Sequence, residues 1–211
     1  MTRSPERPPA PVGRRRFLGL SAGAAGLGLA AAGVGLGACG GAGGSATPSA
    51  ADIGFLTDMS AHHGQALVMC QRVLGQDIGA PVKAAASEVL QNQAIEIGMM
   101  RAWLMDWGAS TAPPETVMAW MHGGDEMPLA MMPGLATDAE LTELSQLDGT
   151  AMGRRWLELM RAHHIGGVAM ADAAVLLAES DKVIRLARTQ SAVQSYEIEQ
   201  YDLLLATTYA P

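Results

Sequence analysis

Cysteine is scarce in this 211-residue chain: only Cys39 and Cys70. A framework of several disulfides is therefore excluded, and a hydrophobic core has to hold the fold. Basic charge is scarce too, with 14 Lys+Arg against 21 Asp+Glu. Five of those arginines and one glutamate fall within residues 1–38, so the remainder carries 9 basic and 20 acidic side chains, a net charge of −11. No basic stripe is left to hold a phosphate backbone, which excludes nucleic acid as a partner. Strand-like alternation, a nucleophile–base triad pattern, a phosphate-cradling glycine loop and a cofactor fingerprint are all missing. So is Glu-x-x-His, the spacing from which helical bundles build carboxylate-rich di-iron sites.

The amino-terminal segment reads as an address rather than as fold. Arg14-Arg15-Arg16-Phe17-Leu18 matches the twin-arginine export pattern, a weakly apolar Gly/Ala/Leu run follows, and Leu36-Gly37-Ala38-Cys39 matches a lipoprotein cleavage box. Residues 1–38 are thus expected to be a signal peptide, with Cys39 taking the lipid. The competing reading is a transmembrane anchor, since the run from Phe17 to Ala38 is long enough to span. Its seven glycines and terminal lipobox favour cleavage. The expectation is an extracytoplasmic protein held to the cell membrane through Cys39, with residues 39–50 as a Gly/Ser/Pro tether.

From residue 51 onward the punctuation is helical. Asp52 is a candidate cap for a helix ending near Leu74, and Pro81 suits the first turn of a second that stops at Gly108. Pro113-Pro114 break the chain, and residues 115–121 read as a short helix. Thr137 and Glu140 form a capping box. A third long helix begins near Gly149, and Asp181 is a candidate cap for a fourth reaching about Thr208. Two hairpins, about 52–108 and 149–208, joined by the connection 109–148 predict an all-α, antiparallel four-helix bundle.

The two hairpins repeat each other. Met59-x-x-His62-His63, Ala66 and Met69 recur 101 residues later as Met160-x-x-His163-His164, Gly167 and Met170. Gln93-x-x-Glu96 recurs at the same offset as Gln194-x-x-Glu197, and four of the five histidines lie inside the repeat. At about 100° per residue, Met59, Ala66, Met69 and Cys70 share the His62 stripe, and His63 stands on its rim. The second hairpin places His163 and His164 in the same way. His62 and His163 are thus expected to face the core most squarely.

Two readings of this constellation stand side by side. An unpartnered buried polar group costs roughly 1–3 kcal/mol, so histidines, glutamines and glutamates could have been retained only to satisfy one another. Alternatively, His62, His63, His163 and His164 ligate a transition metal, helped by Met59, Met69, Met160 and Met170. Gln93, Glu96, Gln194 and Glu197 would then orient the rings. Thioethers in place of carboxylates move the preference toward copper, above all Cu(I); zinc, held by histidine with Glu96 or Glu197, stays open. Met118, Met121, His122, Met127, Met131 and Met132 form a second, accessory candidate in the connection, with bundle-end gap filling as its alternative. Cys70 reads as a small buried hydrophobe, since the second repeat has Ala171 there. A metal-dependent redox enzyme is a third, weaker reading, because it needs an open coordination position.

These motifs resemble the bacterial family catalogued as domain of unknown function 305, over roughly residues 52–205. The double Met-x-x-His-His, with Gln-x-x-Glu following each, carries the resemblance. It implies a ferritin-like four-helix fold and, from some exported members, copper binding; handover of such an ion calls for a metal-donating or metal-accepting partner protein. Two departures stand out: Gly153 replaces the family's usual Asp before the second histidine helix, and Leu135 replaces a common Gly-Met pair in the connection.

Overall fold

The computed structural model describes residues 47–210. Arg14, Arg15 and Cys39, with the expected signal peptide, lie outside that range. Among the described residues the order is α1 (Ala50–Val73), α2 (Ala80–Asp106), β1 (Thr116–Val117), β2 (Met127–Pro128), α3 (Asp138–Gln146), α4 (Gly149–Leu177) and α5 (Asp181–Ala206). The four long helices form an antiparallel bundle of two hairpins, α1–α2 and α4–α5, with α1 packed along α4. No helix among them is long and apolar enough to cross a membrane.

Three local expectations change. Ser49, not Asp52, caps α1: its hydroxyl accepts from the Asp52 N–H at 3.1 Å while the Asp52 carboxylate accepts from the Ser49 N–H at 2.8 Å. The folded part therefore begins inside the expected tether. Asp52 is buried because its other oxygen accepts from the Ser180 N–H at 2.9 Å, tying the start of α1 to the start of α5. Ser180 likewise takes the cap position expected of Asp181. Residues 115–121 form no helix; Thr116–Val117 pair antiparallel with Met127–Pro128 as a two-stranded ribbon.

Two apolar clusters fill the bundle, one on each side of the histidines. Phe55, Met59, Met100, Leu104 and Met170 belong to one, and Met69, Val73, Val89, Trp156, Met160 and Tyr201 to the other. Fully burying each large side chain contributes about 1.5–3 kcal/mol, which is how the core holds without a disulfide. Because α1 and α4 run in opposite senses, Met59 shares a cluster with Met170 and Met69 with Met160. Gly153 admits Tyr209, whose hydroxyl donates to the Ile78 carbonyl at 2.5 Å. A Cβ on Gly153 would lie 2.7 Å from the Tyr209 ring and 2.8 Å from that carbonyl, so the family's usual Asp does not fit here.

The long connection runs lengthwise, from the Trp107 end of the bundle to the start of α4, and covers the α1–α4 seam. Asp58 holds its first part, accepting from the Met118 N–H and the Trp120 indole N–H, each at 2.8 Å. Burial raises the Asp58 pKa, and those two donors oppose the rise. Gln65 holds its second part: its amide donates to the Ala136 carbonyl at 2.8 Å and accepts from the Ala136 N–H at 2.6 Å. At Gly166, the repeat mate of Gln65, the missing Cβ makes room for Pro133. Gln65→Ala removes both bonds of this clamp and is expected to lower stability by about 1–2 kcal/mol. Urea unfolding measures it, and a change within about 0.5 kcal/mol would mean that Gln65 contributes no more than an ordinary surface side chain.

Candidate metal centre

The four repeated histidines lie midway along α1 and α4, and all are fully buried. Helical phase and the antiparallel crossing of α1 and α4 bring His62 and His163 together, with ring centroids 3.7 Å apart and a tilt of 31°. His63 follows at 6.4 Å from His62, and His164 at 6.0 Å from His163. The rings thus form a row through the bundle, from His63 through His62 and His163 to His164. A carboxylate stands at each end: Glu96 Oε2 lies 2.7 Å from His63 Nε2, and Glu197 Oε2 lies 2.6 Å from His164 Nε2.

Those contacts decide the tautomers. A carboxylate accepts, so in the neutral form of His63 and His164 the proton sits on Nε2 and Nδ1 keeps its lone pair. His163 Nε2 lies 2.9 Å from the His62 carbonyl oxygen, and the same logic leaves its Nδ1 bare. All three of these Nδ1 atoms are buried without a partner, and so are both ring nitrogens of His62. The Pro133 carbonyl approaches His62 and slightly favours its charged form, but it does not meet hydrogen-bond geometry. Burial, then the neighbouring imidazoles, holds the pKa of His62 and His163 well below the usual histidine value. Both rings are accordingly neutral at neutral pH, the form in which imidazole binds metal.

Five unpartnered ring nitrogens in a sealed core, flanked by four buried thioethers, suit a soft ion of low charge better than a hard one. The carboxylates do not approach the middle of the row; they end on the outer rings. Among the described residues, no three His, Cys, Asp or Glu side chains converge as a metal cage. Any binding here has to combine imidazole with thioether.

The other candidates separate. Met118 and Met132 are buried in or against the core, Met121 and Met127 are half-buried, and Met131 and His122 are exposed. Four of the connection's five sulfurs, those of Met118, Met121, Met127 and Met132, thus lie in or against one apolar cluster of the bundle, while Met131 and His122 face outward. Met118 is also held at a φ of 75°, and its N–H is given to Asp58. The Gln93 and Gln194 amides are buried against the site, with Gln93 Oε1 and both polar atoms of Gln194 unpartnered. Gly167 admits this second amide: a Cβ there would lie 2.2 Å from Gln194 Oε1. Burial, reinforced by the Glu197 charge, pushes the Cys70 thiol up to about 12, so it stays a protonated core group.

Gln190 escaped the sequence reading. It lies one turn before Gln194 on α5, nearly fully buried, and its Nε2 donates to Glu96 Oε2 at 2.8 Å. A glutamine on the Gln194 stripe was the available signal, but position 89, its repeat mate, is a valine.

Comparison with known proteins adds the following. The family model described as Domain of unknown function (DUF305) matches residues 52–205. A DUF305 protein from Streptomyces coelicolor, predicted to be secreted, is 39% identical, with 74% of this chain and 92% of that one covered and a TM-score of 0.68. A DUF305 fragment from Deinococcus radiodurans is 29% identical, covering 75% and 97% with a TM-score of 0.64. CopM in its Cu(II)-bound form is 26% identical, covering 75% and 97% with a TM-score of 0.59. No curated protein matches the chain.

Proposed function

The chain belongs to the DUF305 family, and from that premise we propose that it is an exported, lipid-anchored protein whose bundle binds copper for sequestration or handover. One observation carries the reading: five buried imidazole nitrogens have no partner in a core also lined by four thioethers. Leaving so many polar atoms unpartnered costs roughly 1–3 kcal/mol each, and a purely structural network would not need the bare Nδ1 atoms. His62, His63, His163 and His164 supply nitrogen, and Met59, Met69, Met160 and Met170 supply sulfur. Glu96 and Glu197 fix the outer rings and keep their lone pairs on Nδ1. The copper-bound relative CopM supports the choice of metal. Export rests on Arg14 and Arg15, with support from the Streptomyces relative, and anchoring rests on the Cys39 lipobox. In handover, a second protein of matching soft donors would take or give the ion.

A second reading has its own support. The two His–Glu pairs close on themselves, and no three of the harder donors converge. On that reading the protein is a non-enzymatic envelope scaffold with a structural polar core. Elemental analysis of protein purified from its own envelope separates the two. The metal reading expects about stoichiometric copper that is lost or strongly reduced in His163→Ala. Metal-free wild type that also fails to take up added Cu(I) would leave the scaffold.

A further inference from the structure

The repeat makes the two half-sites look equivalent, but the packing does not. Glu96 Oε2 accepts twice, from His63 Nε2 at 2.7 Å and from Gln190 Nε2 at 2.8 Å. The two donor nitrogens lie 3.4 Å apart because they share this acceptor, not because they bond each other. Glu197 accepts from His164 among these partners, and the residue that would answer Gln190 across the repeat is Val89, which has no polar group. The half-sites differ again beside the rings: Ala66 corresponds to Gly167 in the repeat, and the Gln194 amide occupies the space that a Cβ on Gly167 would take.

We propose that Gln190 is a positioning residue that makes the half-sites inequivalent, so that the His62–His63 doublet takes the first soft metal ion and the His163–His164 doublet the second. This rests on the metal-binding reading above. Both glutamates are partly open to solvent, with side-chain exposures of 20% for Glu96 and 17% for Glu197. A long carboxylate side chain at such an edge gains rotamer freedom by swinging out into water. Gln190, reaching across from α5, removes that freedom for Glu96. His63 is thereby held with Nε2–H on the carboxylate and Nδ1 turned to the core. His164 has a carboxylate tethered by one bond and is less firmly aimed. Gln190 is neutral and takes little of the Glu96 charge from His63, so its orienting effect outweighs any loss of ring basicity. Its own Oε1 stays buried without a partner, a cost retained along with the Nε2 bond.

Titration of the full-length protein with Ag(I), a diamagnetic soft ion, followed by imidazole 15N NMR, reads each histidine separately. The wild type should show His63 Nδ1 moving with the first equivalent and His164 Nδ1 with the second. In Gln190→Leu, which keeps the volume and removes the donor, the His63 step should weaken about 10-fold, the lower end of what losing such an outer partner costs. The order should then level or reverse. The metal-free variant should also show a mixed His63 tautomer, which a merely space-filling role would not produce. Gln190→Met, which also lacks the donor and adapts its shape to the site, should give the same loss and serves if the leucine variant does not fold. His164 loading first, both doublets moving together, or an unchanged order in both variants overturns the positioning role while metal binding stands. Wild type that takes up neither silver nor copper overturns both readings.

Discussion

Lowering the pH from about 7.5 to about 5.5 is expected to destabilise the metal-free protein through His62 and His163, by at most about 3 kcal/mol. Both rings are fully buried, and burial, followed by the imidazoles beside them, holds their folded pKa well below the usual 6.5. Above that value neither the folded nor the unfolded chain binds these protons, and the pair adds no pH dependence. Below it the unfolded chain takes up two protons that the folded core refuses, so stability falls as pH falls, at about 1.4 kcal/mol per ring per unit. The loss continues until the depressed folded pKa values are reached. Urea unfolding across this range measures it, with His62→Leu/His163→Leu as the reference that lacks both groups. Equal slopes in the two proteins would show that these rings are not held neutral. The same depression means that protons compete weakly with a metal for these two nitrogens, so copper uptake should persist below pH 6.5.

Gly166→Ala should be the most damaging Gly→Ala change among the described residues. A Cβ there would lie 2.1 Å from the Pro133 carbonyl oxygen and 3.0 Å from the Gly134 Cα. Both are backbone atoms with no flexible side chain to give way, so Met132–Gly134 must lift from α4. Overpacking of this kind costs about 1–3 kcal/mol, and here it would also uncover the His62–His163 pair. Gly98→Ala is the control, because a Cβ there meets nothing within 4 Å. Replacing a helical glycine at an open position should instead stabilise by about 0.5–1 kcal/mol. Opposite signs in thermal unfolding, with faster amide exchange around His163 only in Gly166→Ala, are the expected pair of results. Matching behaviour would mean that the connection does not press on Gly166.

Much of the bundle was legible because its signals are local and periodic. Pro81, Gly108 and the Thr137–Glu140 box end or start helices by backbone chemistry that depends on few neighbours. Repetition at an offset of 101 residues marked the histidines, and helical phase separated His62 from His63 before any packing was known. Errors arose where a distant partner outbid the local rule. Asp52 looks like a cap, but it serves one capped helix and the start of another, 128 residues away. Gln190 matters through Glu96 on a different hairpin, and its repeat mate is apolar, so the repeat could not mark it and only its place on the Gln194 stripe hinted at a role.

Composition and period by themselves determined an all-helical domain of two similar hairpins, with histidine, methionine and glutamate kept at matched places in each. Those properties follow from the 3.6-residue turn, which sets what shares a face wherever the helix ends up. Only the tertiary structure decided which ring nitrogens of His63, His163 and His164 meet an acceptor, that His62 and His163 stack while their neighbours turn outward, and that the two halves are held differently. Each of those depends on atoms from another helix arriving within about 3 Å, and no single-helix periodicity carries that distance.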